Sequence, residues 1–195
     1  HSTLQCSMLA LHTPEGVVLY SNDFKFDNNP VLGQKPNYEK LKEIAKEGVK
    51  VLIVDSLYSG DNRKTASEKV ARTLLEDVLF TTTNENSGLF VTTFSSHIAR
   101  LKSITEFGRQ LNRKVIFLGR SLNKYVSAAT RVNLCPFRKD IEIATYRNQL
   151  EKALNKVEKK RGDYMVVCTG HQGELGSILD RISKNKLHFR FRQND

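Results

Sequence analysis

The chain has 195 residues with a hydrophobic content of 39%, enough for one full domain or a large domain with a small companion. It carries 31 Lys and Arg against 21 Asp and Glu, and this net charge of +10 favours a polyanionic partner, with nucleic acid as the first choice. No apolar run approaches the roughly 20 residues of a membrane span, and three cysteines without paired spacing argue against a disulfide framework, so we expect a cytoplasmic protein without a membrane segment.

The first third of the chain predicts a hairpin, a helix and a third strand. Residues 6–11 and 17–21 flank a Pro-then-Gly connection that is typical of a β-hairpin. A helix is expected at about 37–47, followed by the apolar strand Val49–Asp55, whose β-branched character predicts a strand covered on both faces. The composition becomes polar at 56–64, which marks the best candidate for a domain boundary.

The rest of the chain predicts alternating helices and strands. Thr65 and Glu68 have the spacing of a capping box, which predicts a helix with four apolar side chains on its inward face. These four are Val70, Leu74, Leu75 and Val78. Strands are expected at 88–93, 114–119 and 163–168, and further helices from 96, at 121–132, at 141–160 and at 175–183. This order calls for parallel strands joined by right-handed crossovers, and hence for an α/β fold.

Basic residues cluster in three places. The first group, without an intervening acid, comprises Arg109, Arg113, Lys114, Arg120 and Lys124. The second, at 152–161, is interpreted as a solvated helix face. The third closes the chain, partly on a predicted final strand at 186–192, and comprises Arg181, Lys184, Lys186, Arg190 and Arg192. One face of that strand would hold Leu187, Phe189 and Phe191, and the other His188, Arg190 and Arg192. Such clusters neutralise phosphates, whereas 8% aromatic residues and no Trp argue against a base-stacking platform of the RRM type.

The segment 168–174 places two glycines between a predicted buried strand and the start of a helix. Free backbone N–H groups and the helix dipole make such a junction receptive to phosphate or carboxylate. The segment matches neither a P-loop nor a GxGxxG pattern. The alternative is an ordinary tight turn of an α/β fold, with His171 as a hydrogen-bonding loop residue.

Three further residues are candidates for chemistry. Asp55 ends a predicted inner strand, where α/β folds place working residues, although it could equally cap the following turn. No second carboxylate can be placed opposite it for glycosidase chemistry, and no GxSxG elbow is present. His1 and Asp23 lie at adjacent strand ends and suit a divalent transition metal, but nothing local supplies further ligands, and both could be solvated instead.

Six short stretches together resemble one family, the metallo-β-lactamase-fold β-CASP nucleases, and most closely ribonuclease J of the archaeal type. In chain order they are His1–Thr3, Asn22–Asp27, Val54–Ser56, Thr93–Arg100, Leu118–Ser121 and Cys168–Glu174. The resemblance implies part of a metallo-β-lactamase-like αββα domain at residues 1–57. It also implies a β-CASP domain at 58–195, with a mainly parallel sheet flanked by helices.

The same resemblance implies a metal-dependent hydrolase that cuts RNA, as a 5′–3′ exoribonuclease, an endoribonuclease or both. Two divalent metal ions are implied, with zinc as the first choice; His1 would ligate one of them and Asp23 would bridge both. Asp55 would be a catalytic-site acid that orients a later histidine. The implied nucleic-acid-binding residues are Ser96, His97, Arg100, Arg120, Ser121, Gly170, His171, Gln172 and Gly173. The partner would be single-stranded RNA, and the family allows a homodimer of the complete protein.

The sequence lacks several motifs of the family, which predicts an incomplete active site. The HxHxDH stretch and the two later motif histidines are absent from this sequence. We therefore expect a fragment with an incomplete active site, negligible turnover and weak metal binding, although its parent would be a nuclease. Two alternatives stay open: a non-catalytic RNA-binding module on a β-CASP scaffold, and an α/β domain that binds a nucleotide or small anion. Salt-dependent binding to single-stranded RNA separates the last of these from the others.

Overall fold

The computed structural model describes residues 3–193 and 195 and shows two sheets, of three and four strands. The first sheet is built from β1 (Leu9–Thr13), β2 (Gly16–Tyr20) and β3 (Val49–Ile53), in that spatial order. β1 and β2 form the antiparallel hairpin, and β3 lies parallel to β2 after helix α1 (Tyr38–Glu47). The predictions of a hairpin followed by a helix and a strand are confirmed.

The strand β3 is exposed, so the prediction that both of its faces are covered is wrong for this chain. All five of its residues are exposed, with Leu52 at 57% and Ile53 at 50% of their accessible surface. β3 is the edge strand of its sheet, and nothing in the described part of the chain buries it. Its composition still fits a strand with layers on both faces. The strand forms as predicted, but the layers expected to cover it are not present in the described part of the chain.

The second sheet contains four parallel strands, as the alternation of elements predicts. In spatial order they are β4 (Leu89–Thr92), β7 (Tyr164–Cys168), β5 (Lys114–Leu118) and β6 (Ile141–Ala144). The helices around it are α2 (Glu68–Thr81), α3 (Ile98–Gln110), α4 (Arg120–Arg131), α5 (Arg147–Lys159) and α6 (Ile178–Ser183). Among the described residues no helix is both long and apolar enough to cross a membrane.

The two faces of the parallel sheet carry separate hydrophobic clusters. Val115 and Phe117 of β5 belong to the cluster that contains α3 and α4, whereas Ile116 and Leu118 belong to the cluster that contains α5 and α6. This alternation follows from the two-residue period of a strand. All four side chains are at most 2% exposed. The sheet is therefore the middle layer of three. Because helices cover both of its faces, a ligand can reach it only at the loops at the ends of the strands.

The predicted helix at 141–160 is wrong over its first six residues. Residues 141–144 form β6, which pairs with β5 at the edge of the sheet, and α5 begins only at Arg147. The Gln149 side chain accepts a hydrogen bond from the Tyr146 amide and so marks the true start of the helix. A short apolar–polar run fits a helix or an edge strand equally well, and here pairing with β5 decides.

The predicted strand at 186–192 does not form, although its alternation is confirmed in part. Leu187 and Phe189 are buried against the α5 and α6 side of the sheet, whereas His188 and Arg190 are exposed. In the described residues this segment joins neither sheet, so the alternation comes from packing alone.

Helix α2 presents a different face from the one predicted. Ser67, and not Thr65, begins the helix, with its hydroxyl accepting a hydrogen bond from the Lys69 amide. Three of the four residues predicted to face inward are exposed: Val70 at 47%, Leu74 at 62% and Val78 at 59%. The buried face instead contains Glu68 and Leu79. Glu68 pairs with Arg100 of α3 on this buried face.

Two arginines assigned to basic clusters are buried. The Arg113 guanidinium, 4% exposed, donates hydrogen bonds to the carbonyls of Tyr164 at 2.9 Å and Arg161 at 3.2 Å. Arg161 is 5% exposed and pairs with the carboxylates of Glu158 and Asp195. Both side chains join loops at the amino edge of the parallel sheet. They hold the fold together and do not face a polyanion.

Candidate nucleic-acid interface

The carboxyl ends of the parallel strands surround one cleft. Thr93, Gly119, Thr145 and Thr169 each follow directly on one of the four strands, and all four line a cleft of about 370 Å³. In open parallel sheets, ligands bind outside the carboxyl ends, where the following helices pass to opposite faces. That condition is met here, because α3 and α4 cover one face and α6 covers the other. We call this the edge cleft.

The edge cleft gathers part of the predicted binding set. Arg120 and Ser121, in the first turn of α4, line it together with His171 from the loop after β7. Arg181 of α6, the first residue of the third basic cluster, lines it as well. The cleft therefore combines two guanidinium groups with several hydroxyls.

The glycine loop after β7 is tightly folded against α6. Gly170 has φ +129° and is buried, and a Cβ there would lie 2.5 Å from the Leu179 Cβ, so only glycine fits. The Gly173 amide donates to the Gly170 carbonyl at 3.1 Å, and the Gln172 amide donates to the Glu174 carboxylate at 3.2 Å. Two N–H groups of the predicted anion nest are thus already used inside the loop. This observation favours the tight-turn alternative for Gly170, Gln172 and Gly173.

The loop Thr93–His97 holds an aromatic contact that the sequence did not predict. The Phe94 ring lies against the His171 ring, with centroids 4.2 Å apart and planes at 82°. Phe94 is 45% exposed and lines the edge cleft. The available signal was its place just after a strand, within the stretch Thr93–Arg100 that resembles the family.

Two other predicted binding residues of this region, His97 and Arg100, lie next to Glu68 and away from the edge cleft. Arg100 donates two hydrogen bonds of 2.9 Å to the buried carboxylate of Glu68, and the His97 Nδ1 lies 3.9 Å from the same carboxylate. His97 and Glu68 line a cleft of about 490 Å³ between residues 3–36 and the start of α2 and α3. Burial and the charge of Arg100 lower the pKa of His97, and Glu68 opposes them. The structure therefore separates His97 and Arg100 from Arg120, Ser121 and His171, with Ser96 in the loop between them.

Asp27 joins the first part of the chain to α2. Its carboxylate accepts hydrogen bonds from the Ser67 hydroxyl and the Glu68 amide, both at 2.7 Å, and from the Asn29 amide at 2.9 Å. Burial raises the pKa of Asp27, but these hydrogen bonds and the nearby Lys25 outweigh it and lower the pKa. No local pattern predicts the contact with α2, because Asp27 and Ser67 lie 40 positions apart.

Of the two candidate metal ligands, Asp23 alone lies in the part of the chain that the structure describes. Asp23 is exposed, and its carbonyl accepts a hydrogen bond from the Cys6 thiol at 2.6 Å. His1 lies outside the part of the chain that the structure describes. Within that part no group of three or more His, Cys, Asp or Glu side chains could hold a metal ion. The described residues by themselves therefore do not fit a dinuclear centre.

Asp55 caps the turn that follows its strand, which was the alternative to a catalytic role. Its carboxylate accepts a hydrogen bond from the Leu57 amide at 3.0 Å, and the residue is exposed. This is the geometry of an aspartate that caps a turn. A catalytic role for Asp55 stays a prediction.

The parallel sheet, its two helical layers and the motif loops at its carboxyl edge define a β-CASP domain of the metallo-β-lactamase superfamily. Residues 86–195 match the family model for the β-CASP domain of ribonuclease J. The chain therefore belongs to the ribonuclease J family.

Known relatives agree with this assignment. The chain is 45% identical, over 96% of its length, to a ribonuclease J of Pyrococcus abyssi. It is 39% identical, over its whole length, to a ribonuclease J of Methanocaldococcus jannaschii, and 30% identical to one of Helicobacter pylori. It spans 42%, 44% and 27% of these three relatives, respectively. The predicted family and α/β fold class are confirmed.

Proposed function

We propose that the chain is the RNA-handling part of a ribonuclease and binds single-stranded RNA at the edge cleft. The observation that carries this proposal is the convergence of Arg120, Ser121 and His171, from two separate motifs, on the carboxyl edge of one parallel sheet. The net charge of +10 supports a polyanionic substrate. A cytoplasmic location and a homodimer of the complete protein belong to the same proposal.

The domain division is part of the proposal. Residues 1–57 would be a portion of a metallo-β-lactamase-like domain, and residues 58–195 the β-CASP domain. The exposed apolar residues of β3 support a larger first domain, since such surfaces are usually covered by a partner layer. The family match over 86–195 supports the second.

Catalysis would belong to the parent protein. We propose that it cuts RNA, in the exonucleolytic or the endonucleolytic mode, and depends on two divalent metal ions, with zinc as the first choice. His1 and Asp23 would be two of the donors, and Asp55 an orienting acid. Because the described residues do not form such a centre, negligible turnover is expected of this chain alone.

Binding of a single-stranded RNA oligonucleotide at several salt concentrations tests the interface. Arg120→Ala is expected to weaken binding and to reduce the slope of log K against log salt by about 0.7, the effect of one lost phosphate contact on a single strand. Arg131→Ala is the matched control, since Arg131 is exposed at the other end of the same helix. Equal binding by wild type and Arg120→Ala would remove the edge cleft from the proposal.

A non-catalytic RNA-binding module is the second candidate, favoured by the absence of a three-donor metal group among the described residues. A nuclease assay with metal analysis, on this chain and on a version extended at both ends, separates the two. Activity and bound metal only in the extended version support the ribonuclease fragment. Inactivity of both supports the module, and equal activity of both contradicts the fragment hypothesis.

A further inference from the structure

The edge cleft contains an aromatic side chain whose exposure its surroundings do not explain. Phe94 is 45% exposed, yet its neighbours in the cleft are mainly hydroxyl-bearing and charged side chains. Single exposed aromatic side chains are common on protein surfaces, so the place where Phe94 lies matters here and not its exposure alone. Phe94 follows Thr93 out of the sheet and lies in a polar cleft.

The contact with His171 fixes the ring without covering it. With planes at 82°, the edge of one ring meets the face of the other. The ring that contributes its edge keeps both faces open to other partners, and the second ring keeps one. Because Phe94 is 45% exposed, a substantial part of its surface remains open to a further flat partner.

The charges around Phe94 indicate what kind of flat partner fits. Arg120 and Arg181 line the same cleft and attract phosphates, and Ser95 and Ser121 line it too. Glu174 contributes a carboxylate, whose oxygen lies 3.9 Å from the His171 Nδ1, so the arginines leave a positive balance. An exposed aromatic ring within a basic groove is how proteins bind single-stranded nucleic acid, with bases on the ring and phosphates on the cations. The low aromatic content excludes a platform on the sheet face, which the helices cover, but not a single stacking residue in a loop.

We propose that Phe94, supported by His171, is a stacking site for one unpaired base of single-stranded RNA. This inference rests on the proposed RNA-binding function and adds to it the residue that recognises a base. Stacking on a phenyl ring accepts every base, so the site would distinguish single strands from duplexes and not one sequence from another.

The first test compares two probes of equal charge. Phe94→Leu is expected to weaken the binding of a single-stranded oligoribonucleotide about tenfold, a typical loss for one stacked base. It should leave unchanged the binding of an abasic strand of the same length, which offers phosphates without bases. Phe80→Leu is the matched control, because Phe80 is 46% exposed and also contacts a second ring edge-on, but lies on α2.

The second test gives a signal that fold stability does not mimic. The chain has no tryptophan, so Phe94→Trp introduces a single indole at the proposed site. Its fluorescence should be quenched by the oligoribonucleotide and not by the abasic strand, and its affinity should match or exceed that of wild type. The indole of Phe80→Trp should respond to neither probe.

The outcomes separate this inference from the proposed function. If wild type binds RNA in a salt-dependent way, but Phe94→Leu binds equally well and Phe94→Trp is not quenched, the stacking site is wrong and RNA binding stands. If wild type binds neither probe, the RNA-binding function itself is wrong. Loss of abasic-strand binding in Phe94→Leu would show damage to the whole cleft and would also contradict a stacking role.

Discussion

The strands β3 and β5 are nearly interchangeable as sequences but occupy opposite environments. β3 reads VKVLI and β5 reads KVIFL, and each contains four apolar residues in five. Every residue of β3 is exposed, whereas the last four of β5 are at most 2% exposed. The apolar composition of a strand thus indicates that both of its faces should be covered by packed elements. How many of those covering elements this chain provides is seen only in the fold.

The largest effect is expected where the layers are complete. Leu118→Ala in β5 should lower the free energy of unfolding by about 2–5 kcal/mol, because it leaves a cavity that the packed helices cannot fill. Leu118 is 0% exposed. Urea unfolding of the 195-residue chain measures the effect. A loss below 1 kcal/mol would mean that the second sheet is less tightly packed than the structure shows.

An intermediate effect is expected at Asp27, which joins the two regions. Asp27→Asn should cost about 1–2 kcal/mol at pH 7, since the carboxylate accepts hydrogen bonds at the start of α2. The folded pKa lies below the ordinary value of 3.8. The stabilisation by the carboxylate is therefore complete above that value and is lost as the pH falls through the folded pKa.

Unfolding measured from pH 7 down to acid tests this sign. The difference between wild type and Asp27→Asn should shrink as the pH falls below 3.8. Asp77→Asn, on an exposed position of the same helix, is the control and should stay within about 0.5 kcal/mol of wild type. A gap that widens in acid would contradict the assigned hydrogen bonds.

The smallest effect on the free energy of unfolding is expected in β3, whose faces are exposed. Leu52→Ala in β3, the same chemical change as Leu118→Ala, should alter the unfolding free energy by about 0.5 kcal/mol or less in this chain. In a version extended by the rest of a first domain, the same substitution should cost about 2–5 kcal/mol. Equal small effects in both versions would argue that β3 is not an internal strand of a larger domain.

The comparison also shows which features a sequence can predict. The strands 89–92, 114–118 and 164–168 and the helices α3 and α4 follow from local periodicity, and the structure has them. The face of α2 does not follow, because Glu68 is buried by its pairing with Arg100, 32 positions away and beyond any local pattern. The burial of Arg113 depends on a carbonyl 51 positions away, which no local pattern encodes.

The candidate site divides in the same way. Motifs predicted that Arg120, Ser121 and His171 belong together, and the carboxyl edge of the sheet brings them into one cleft. The same motifs grouped His97 and Arg100 with them, but the loop after β4 turns these residues toward Glu68. Phe94 lies within the stretch Thr93–Arg100, but no local pattern distinguishes it there. A single aromatic residue shows its exposure only after folding.

The loop Thr93–His97 has a consequence for how the molecule would respond to its ligands. Thr93, Phe94 and Ser95 line the edge cleft, and His97, two positions further on, lines the second cleft. A ligand that immobilises the loop from one side reduces the entropy that a ligand on the other side must still remove. By reciprocity each would strengthen the other's binding by the same factor. Cooperation between the clefts would then require no relay beyond this one short loop.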